Sequence, residues 1–299
     1  MKILSVDIGG TFIKYAVMDE TCRIGEKGKV PTPQSGHDEL IETIASLYEK
    51  FSDLQGIAIS MPGIIDPVRG YVVMGGGALM YNTGFFIRDA LEKRTGCHKI
   101  TVYNDAKCAA QAEASMGALK GIRNGAVMLF GTMIGGGLVL DGKVRQGSHF
   151  SAGEVTYILT DRSSVPAYDT IWGRRCSALR LCRDYAEKKH LPPETVDGEA
   201  VFAALEKGDK DAEEALSCYA KEIAVQFFNF QTLLDLERIA IGGGISAQPR
   251  FIEAVRACLD EMYAVSPYYT PRPEIVRCQF GSDANLIGAL QYWLVAEKC

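Results

Sequence analysis

The chain opens with an apolar run over residues 2–8 (KILSVDI) that meets Gly9-Gly10. It leaves that turn as alternating positions, with Thr11, Ile13 and Tyr15 on one side and Phe12, Lys14 and Ala16 on the other. Period two beyond a glycine turn predicts a strand–turn–strand hairpin. A dinucleotide-binding unit would turn from its glycines into a helix instead. Residues 126–144 (AVMLFGTMIGGGLVLDGKV) repeat the plan more than a hundred positions later, which points to two related halves.

Between the hairpins, residues 37–51 have helical spacing and 54–60 form a buried strand ended by Pro62-Gly63. A helix follows over 85–96, closed by Gly96, then a strand over 99–105 and a helix over 106–117. The stretch 117–126 reads as a linker, dividing residues 1–118 from 119–282. Helices dominate 171–234, and 237–246 is a strand running into a third glycine turn. A last strand at 274–280 and a last helix at 283–298 complete a layered α/β pattern.

Composition narrows the class. With 47% hydrophobic and 23% charged residues among 299, the chain has enough apolar material for real cores. No apolar run is long enough to span a bilayer. Met1 opens straight into the first strand without a leader-like segment, so a cytoplasmic protein without a membrane partner is expected. The net charge of −5 and the lack of a basic stripe argue against nucleic acid as the partner. The nine cysteines are odd in number, scattered, and include no C-x-x-C pair. Reduced thiols are expected, with Cys108, Cys218 and Cys258 buried in apolar patterns, and no zinc site is signalled.

Five motifs carry polar chemistry. Asp7-Ile8-Gly9-Gly10-Thr11-x-x-Lys14 combines glycines that let amides approach an anion, a hydroxyl, a cation, and a strand-end carboxylate placed to hold Mg²⁺ through water. A bare hairpin turn would also want glycine, but Thr11 and Lys14 have no turn role. Gly131-Thr132-Met133-Ile134-Gly135-Gly136-Gly137 is either a second phosphate wrap or a tight turn with spare glycines. Gly242-Gly243-Gly244 is either a bare surface for a flat base or a close strand–helix junction. Asn104-Asp105 ends a strand and starts a helix, which suits an N-cap and equally suits a carboxylate that takes a hydroxyl proton at a sheet's carboxyl edge. There the helix dipole favours the ionised form. In Ser151-Ala152-Gly153-Glu154-x-x-Tyr157, Glu154 is either a grip on vicinal hydroxyls or a solvated loop acid. Walker and protein-kinase signatures are absent. Cys176 and Cys182 face different sides of a helix, His149 reads as surface, and Phe227, Phe228 and Phe230 read as core or oligomer contact.

Taken together, D-I-G-G-T-x-x-K, the P-G-x-x-D at Pro62–Asp66, N-D at 104–105, G-T-x-I-G-G-G, A-G-E at 152–154 and I-G-G-G-I-S resemble the ROK family of sugar kinases and repressors. The match in order and spacing runs along nearly the whole chain. The resemblance implies the actin-like, duplicated ribonuclease-H-like ATPase fold, with two α/β domains flanking a cleft. The helix at 283–299 would return to complete the first domain. The resemblance implies Asp105 as catalytic base, and Gly63, Asn104 and Glu154 as sugar contacts. Asp7, Gly9, Gly10, Thr11 and Lys14 would form the first phosphate loop, Gly131 and Thr132 the second, and Gly243 and Gly244 the adenosine-side turn.

The departures are as informative. Where the family commonly reads G-E-x-G-H, this chain has Thr156 and Tyr157 for the glycine and histidine, which leaves Tyr157 at the place of a sugar contact. The cysteine-rich zinc motif is missing, so no structural zinc is expected. A second family glutamate is replaced within 172–179 (WGRRCSAL), and the glycine after Thr132 is Met133. The phosphate loop begins at Asp7, so the repressors' helix-turn-helix is not expected here. The resemblance thus implies an ATP- and Mg²⁺-dependent sugar kinase and a homodimer. Its substrate would be a hexose or a β-glucoside such as cellobiose, taken at the 6-hydroxyl. A non-catalytic sugar sensor and an ATP-hydrolysing actin-like scaffold are the competing expectations.

Overall fold

The computed structural model of the chain describes residues 1–160, 170–266 and 271–297. The chain divides into two compact units. The first comprises Met1–Gly117, Val144–Ala152 and Ser282–Cys299, and the second Ala118–Lys143 and Gly153–Gly281. The excursion Val144–Ala152, which the sequence reading left in the second half, belongs to the first unit.

In the first unit the elements are β1 (Lys2–Ile8), β2 (Phe12–Met18), β3 (Ile24–Pro31), α1 (His37–Glu49), β4 (Leu54–Met61), β5 (Gly63–Asp66), β6 (Tyr71–Gly75), β7 (Phe85–Phe86), α2 (Ile87–Thr95), β8 (Ile100–Asn104) and α3 (Asp105–Met116). The main sheet runs β3-β2-β1-β4-β8. β1 and β2 form the predicted antiparallel hairpin, with Asp7 opposite Lys14, and β4 and β8 continue it in parallel. A strand between two neighbours must be apolar on both faces, and six of the seven β1 residues are buried. β3 was not foreseen. It is a polar edge strand with Glu26, Lys27 and Lys29, the charged composition that keeps edges from pairing further. A small sheet of β5, β6 and β7 was also not foreseen. The C-terminal helix (Ala284–Ala296) packs on this unit, where Ser5 Oγ donates to Leu286 O at 2.7 Å and Trp293 Nε1 to Lys99 O at 2.9 Å.

The second unit contains β9 (Gly125–Phe130), β10 (Ile134–Leu140), α4 (Trp172–Arg175), α5 (Ala178–Lys188), α6 (Gly198–Glu206), α7 (Lys210–Leu234), β12 (Arg238–Gly242), α8 (Pro249–Val265) and β13 (Glu274–Arg277), and the two-residue strand β11 (Lys143–Val144) falls on its boundary. Its sheet order, β11-β10-β9-β12-β13, reproduces that of the first unit: an antiparallel hairpin, β9–β10, followed by two parallel strands. The core gathers Phe130, Trp172, Phe227, Phe230 and Phe251 into edge-to-face and tilted contacts, so the phenylalanines at 227 and 230 are core. Cys218 is exposed and Cys258 half-buried, which corrects their expected burial; on α7 the buried face passes through Leu216, Tyr219 and Ala220 instead. Among the described residues no helix is long and apolar enough to cross a membrane.

Candidate active site

Parallel strands end at one edge of a sheet, and open α/β sheets place ligands at that carboxyl edge. In the first unit Asp7 pairs with Ser60 and Met61 with Asn104, so β1, β4 and β8 bring Asp7, Ser60, Asn104 and Asp105 to one edge. Asp7 is buried at 6% exposure. Its Oδ1 accepts from Ser60 Oγ at 3.0 Å and from Asn285 Nδ2 at 2.9 Å, and Lys14 Nζ lies 3.8 Å from Oδ2. Burial raises the carboxyl's pKa, while Asn285, Lys14 and Ser60 pull it back. Ser60 and Asn285 carried no motif signal, and Asn285 arrives from the C-terminal helix 278 positions away in sequence.

Asn104 caps α3. Its Oδ1 accepts from Lys107 N at 3.0 Å and its Nδ2 donates to Gly63 O at 2.9 Å, so two of the amide's four bonding sites remain for a ligand. Gly63 has φ 119°, and a Cβ there would lie 2.3 Å from Met74 O, so only glycine presents that carbonyl to Asn104. Asp66 of the same motif holds a turn, its Oδ1 accepting from Val68 N and Arg69 N.

Asp105 Oδ1 accepts from Ala106 N at 2.8 Å. Burial first, and the charge of Asp7 second, push its pKa up to about 6, against smaller opposing effects of backbone amides and Lys107. The first-turn amides of α3 do favour the ionised form, but desolvation outweighs them. In metal-free, nucleotide-free protein the Asp105 carboxyl carbon, assigned by its loss in Asp105→Asn, is expected to titrate by NMR with a midpoint near pH 6. A midpoint at the ordinary aspartate value would contradict this.

Two of the loop amides have local duties. Gly9 N donates to Phe12 O and Gly131 N to Met133 O, both at 3.0 Å, closing the two hairpins. Among the described residues the amides of Gly10, Thr11, Thr132 and Met133 have no such partner in the turns. Met133 has no left-handed backbone, so a side chain at the family's glycine position brings no such strain. In the second unit Ala178 N, at the start of α5, donates to Gly131 O at 2.9 Å. A cavity of ≈ 480 Å³ lies beside the third glycine turn, lined by Gly244, Ile245, Gln248, Leu181, Phe202 and Glu199 among others. A larger depression of ≈ 710 Å³, lined by Arg174, Arg180, Arg183 and Glu222 among others, contains none of the motif residues.

Glu154 is half-buried and leads into a short 3₁₀ turn, Val155–Tyr157. Thr156, at the family's glycine position, is buried: its Oγ1 donates to Ile134 O at 2.6 Å and stitches the loop to β10. Tyr157 is 54% exposed. Lys14 and Thr11 are on the β1–β2 hairpin with Asp7 in the first unit; Glu154, Tyr157, Gly131, Thr132, Gly243 and Gly244 belong to the second.

A sheet plan duplicated in two units, each with a glycine hairpin, and with strand-end carboxylates in one, defines the actin-like ATPase class of fold. The chain belongs to the ROK family, whose model matches residues 3–296. It is 31% identical over 295 residues to a β-glucoside kinase of Klebsiella pneumoniae, covering 98% of this chain and 96% of that protein. A ROK family protein from Streptococcus pneumoniae TIGR4, solved in complex with sucrose, has a TM-score of 0.89 at 30% identity, covering 100% of this chain and 99% of that one. The ROK hexokinase from Thermus thermophilus has a TM-score of 0.82 at 27% identity, with both chains fully covered.

Proposed function

We infer that the protein is an ATP-dependent sugar kinase acting on a β-glucoside or related disaccharide. The observation that carries the mechanism is the placement of Asp105 at the strand edge that also holds Asp7 and Asn104, where burial pushes its carboxyl up to about 6. A base works best when its pKa lies near the working pH. In this reading Asp105 accepts the proton of the sugar hydroxyl as it attacks the terminal phosphate, and Asn104 and Glu154 orient the neighbouring hydroxyls. The three-residue turns Gly9–Thr11 and Gly131–Met133 offer amides to the phosphates, and Lys14 supplies positive charge. The cavity beside Gly244 suits adenosine, with Leu181, Phe202 and Ile245 as apolar walls and Glu199 as a polar reader.

The donor set at Asp7 fits Mg²⁺. Asp7 is a hard oxygen ligand whose Oδ1 takes the two hydrogen bonds and whose Oδ2 faces the Lys14 ammonium at 3.8 Å. Among the described residues no three His, Cys, Asp or Glu side chains gather into an all-protein cage. A cation that keeps most of its waters and takes one carboxylate plus phosphate oxygens suits that arrangement. When bound it would neutralise charge on the transferring phosphoryl. The proposal also includes a homodimer, as the family resemblance implies.

The preference for a β-glucoside rests on overall likeness to the Klebsiella enzyme and on the loss of the family's histidine at Tyr157. A coupled ADP-release assay across glucose, N-acetylglucosamine, sucrose and cellobiose tests it. Sugar-dependent release, greatest with the β-glucoside, is expected. Sugar binding without turnover would establish a sensor instead, and sugar-independent hydrolysis would establish a scaffold ATPase.

A further inference from the structure

Lys107 is on the first turn of α3, two residues past Asp105, and is 1% exposed. Burying an ammonium is costly unless a partner is built for it, and the helix has no local need of lysine there. Its Nζ donates to the carbonyl of Phe150 at 2.6 Å. Phe150 has a left-handed backbone, φ 60°, which a bulky residue keeps only where its surroundings hold it. The chain around it closes on itself: Ala152 N donates to Gln146 O at 3.1 Å and Phe150 N to Gly147 O at 3.2 Å.

A second tie holds the other end of this loop. Gln146 Nε2 donates to Tyr292 Oη at 3.0 Å, and Tyr292 stacks on Tyr103 of β8 with ring centroids 3.7 Å apart. Loop 146–152 is thus moored to β8, α3 and the C-terminal helix, all in the first unit. β8 and α3 are also the elements that present Asn104 and Asp105. The chain leaves this loop directly into Gly153-Glu154.

We propose that Lys107 is a positioning residue for the sugar: its ammonium pins loop 146–152 to the first turn of α3 and so fixes the turn that presents Asn104 and Asp105. The proposal rests on the sugar-kinase reading and names a determinant of acceptor affinity that does not touch the acceptor.

The test is Lys107→Met in the full chain, a change that keeps the length of the side chain and removes its donors. Steady-state kinetics with cellobiose and ATP are paired with amide exchange of the loop. The KM for cellobiose is expected to rise at least about tenfold while the KM for ATP stays within about twofold. Exchange over 146–152 is expected to quicken at least about tenfold while that of β1 is unchanged. A folded variant with cellobiose KM and loop exchange within about twofold of the parent overturns the proposal. So does a parallel rise in both KM values, which would mark general structural damage. Should the variant fail to fold, Tyr292→Phe cuts the second tie and decides: the same split, at least about threefold, supports the mooring, and unchanged KM values overturn it. Failure of the kinase reading is a separate result, visible as absent sugar-dependent ADP release in the unmodified protein, and the exchange experiment still reads the mooring.

Discussion

Asp105→Asn is expected to lower kcat by about three orders of magnitude, within the range general-base catalysis supplies, with smaller changes in both KM values. The amide keeps the size of the carboxylate and a carbonyl oxygen to accept from Ala106 N, so the first turn of α3 keeps its shape. What it loses is the basic oxygen. The same substitution is expected to stabilise the fold. A folded-state pKa of about 6, above the 3.8 of an unperturbed aspartate, means the folded protein holds the proton more tightly. Stability from this group is therefore greatest in acid and is lost as pH rises through that window. Above it the ionised carboxylate is a burden that asparagine lifts. The melting temperature of Asp105→Asn is expected to exceed the parent's by about 2–6 °C at pH 8 and to converge with it near pH 4. Near-normal turnover would remove Asp105 as the base. A melting point unchanged at pH 8 would remove the strained ionisation.

Gly243→Ala is expected to damage ATP use from a position that need not touch ATP. Gly243 has φ 86° and ψ 168°, a region essentially closed to other residues, at a cost of about 1–3 kcal/mol for alanine. A Cβ there would lie 2.1 Å from the carbonyl oxygen of Phe130, whose side chain is fully buried in the aromatic core. Neither side yields easily, because β9 and β12 are adjacent parallel strands. Phe130 directly precedes Gly131-Thr132, so the forced separation shifts the proposed second phosphate loop together with the proposed adenosine-side turn. We expect the KM for ATP to rise at least about tenfold, since displacements near 1 Å carry penalties of that order or more. A fall in melting temperature of at least about 4 °C is expected alongside. A variant with parental stability and parental ATP affinity would show that the close approach at Gly243 is dispensable.

These two residues were visible in the sequence for physical reasons. A strand that ends in glycines leaves a strong pattern, because an apolar period is broken by residues that have no other reason to be consecutive. Asp7, Asn104 and Asp105 stand out because a polar side chain at the end of an apolar run is costly unless it is paired. What escaped notice had no such contrast. β3 alternates weakly because its outer face meets solvent, whereas α8 buries Phe251, Ile252, Val255 and Leu259 at helical spacing and was legible from that spacing alone. Lys107 reads as a solvated helix residue, and its partner is a backbone carbonyl, which every residue possesses. Asn285 and Asp7 meet only because the chain's two ends share one unit. Thr156 looked like the loss of a family glycine, whereas its hydroxyl bonds the loop to β10.

Phosphoryl transfer to a sugar hydroxyl is read directly by ³¹P NMR of the reaction. With cellobiose, ATP and Mg²⁺, a new phosphomonoester resonance coupled to the protons of a sugar C6 is predicted, growing in step with ADP and absent with Asp105→Asn. Growth of ADP with inorganic phosphate as the sole other product, across the whole sugar panel, would contradict the account.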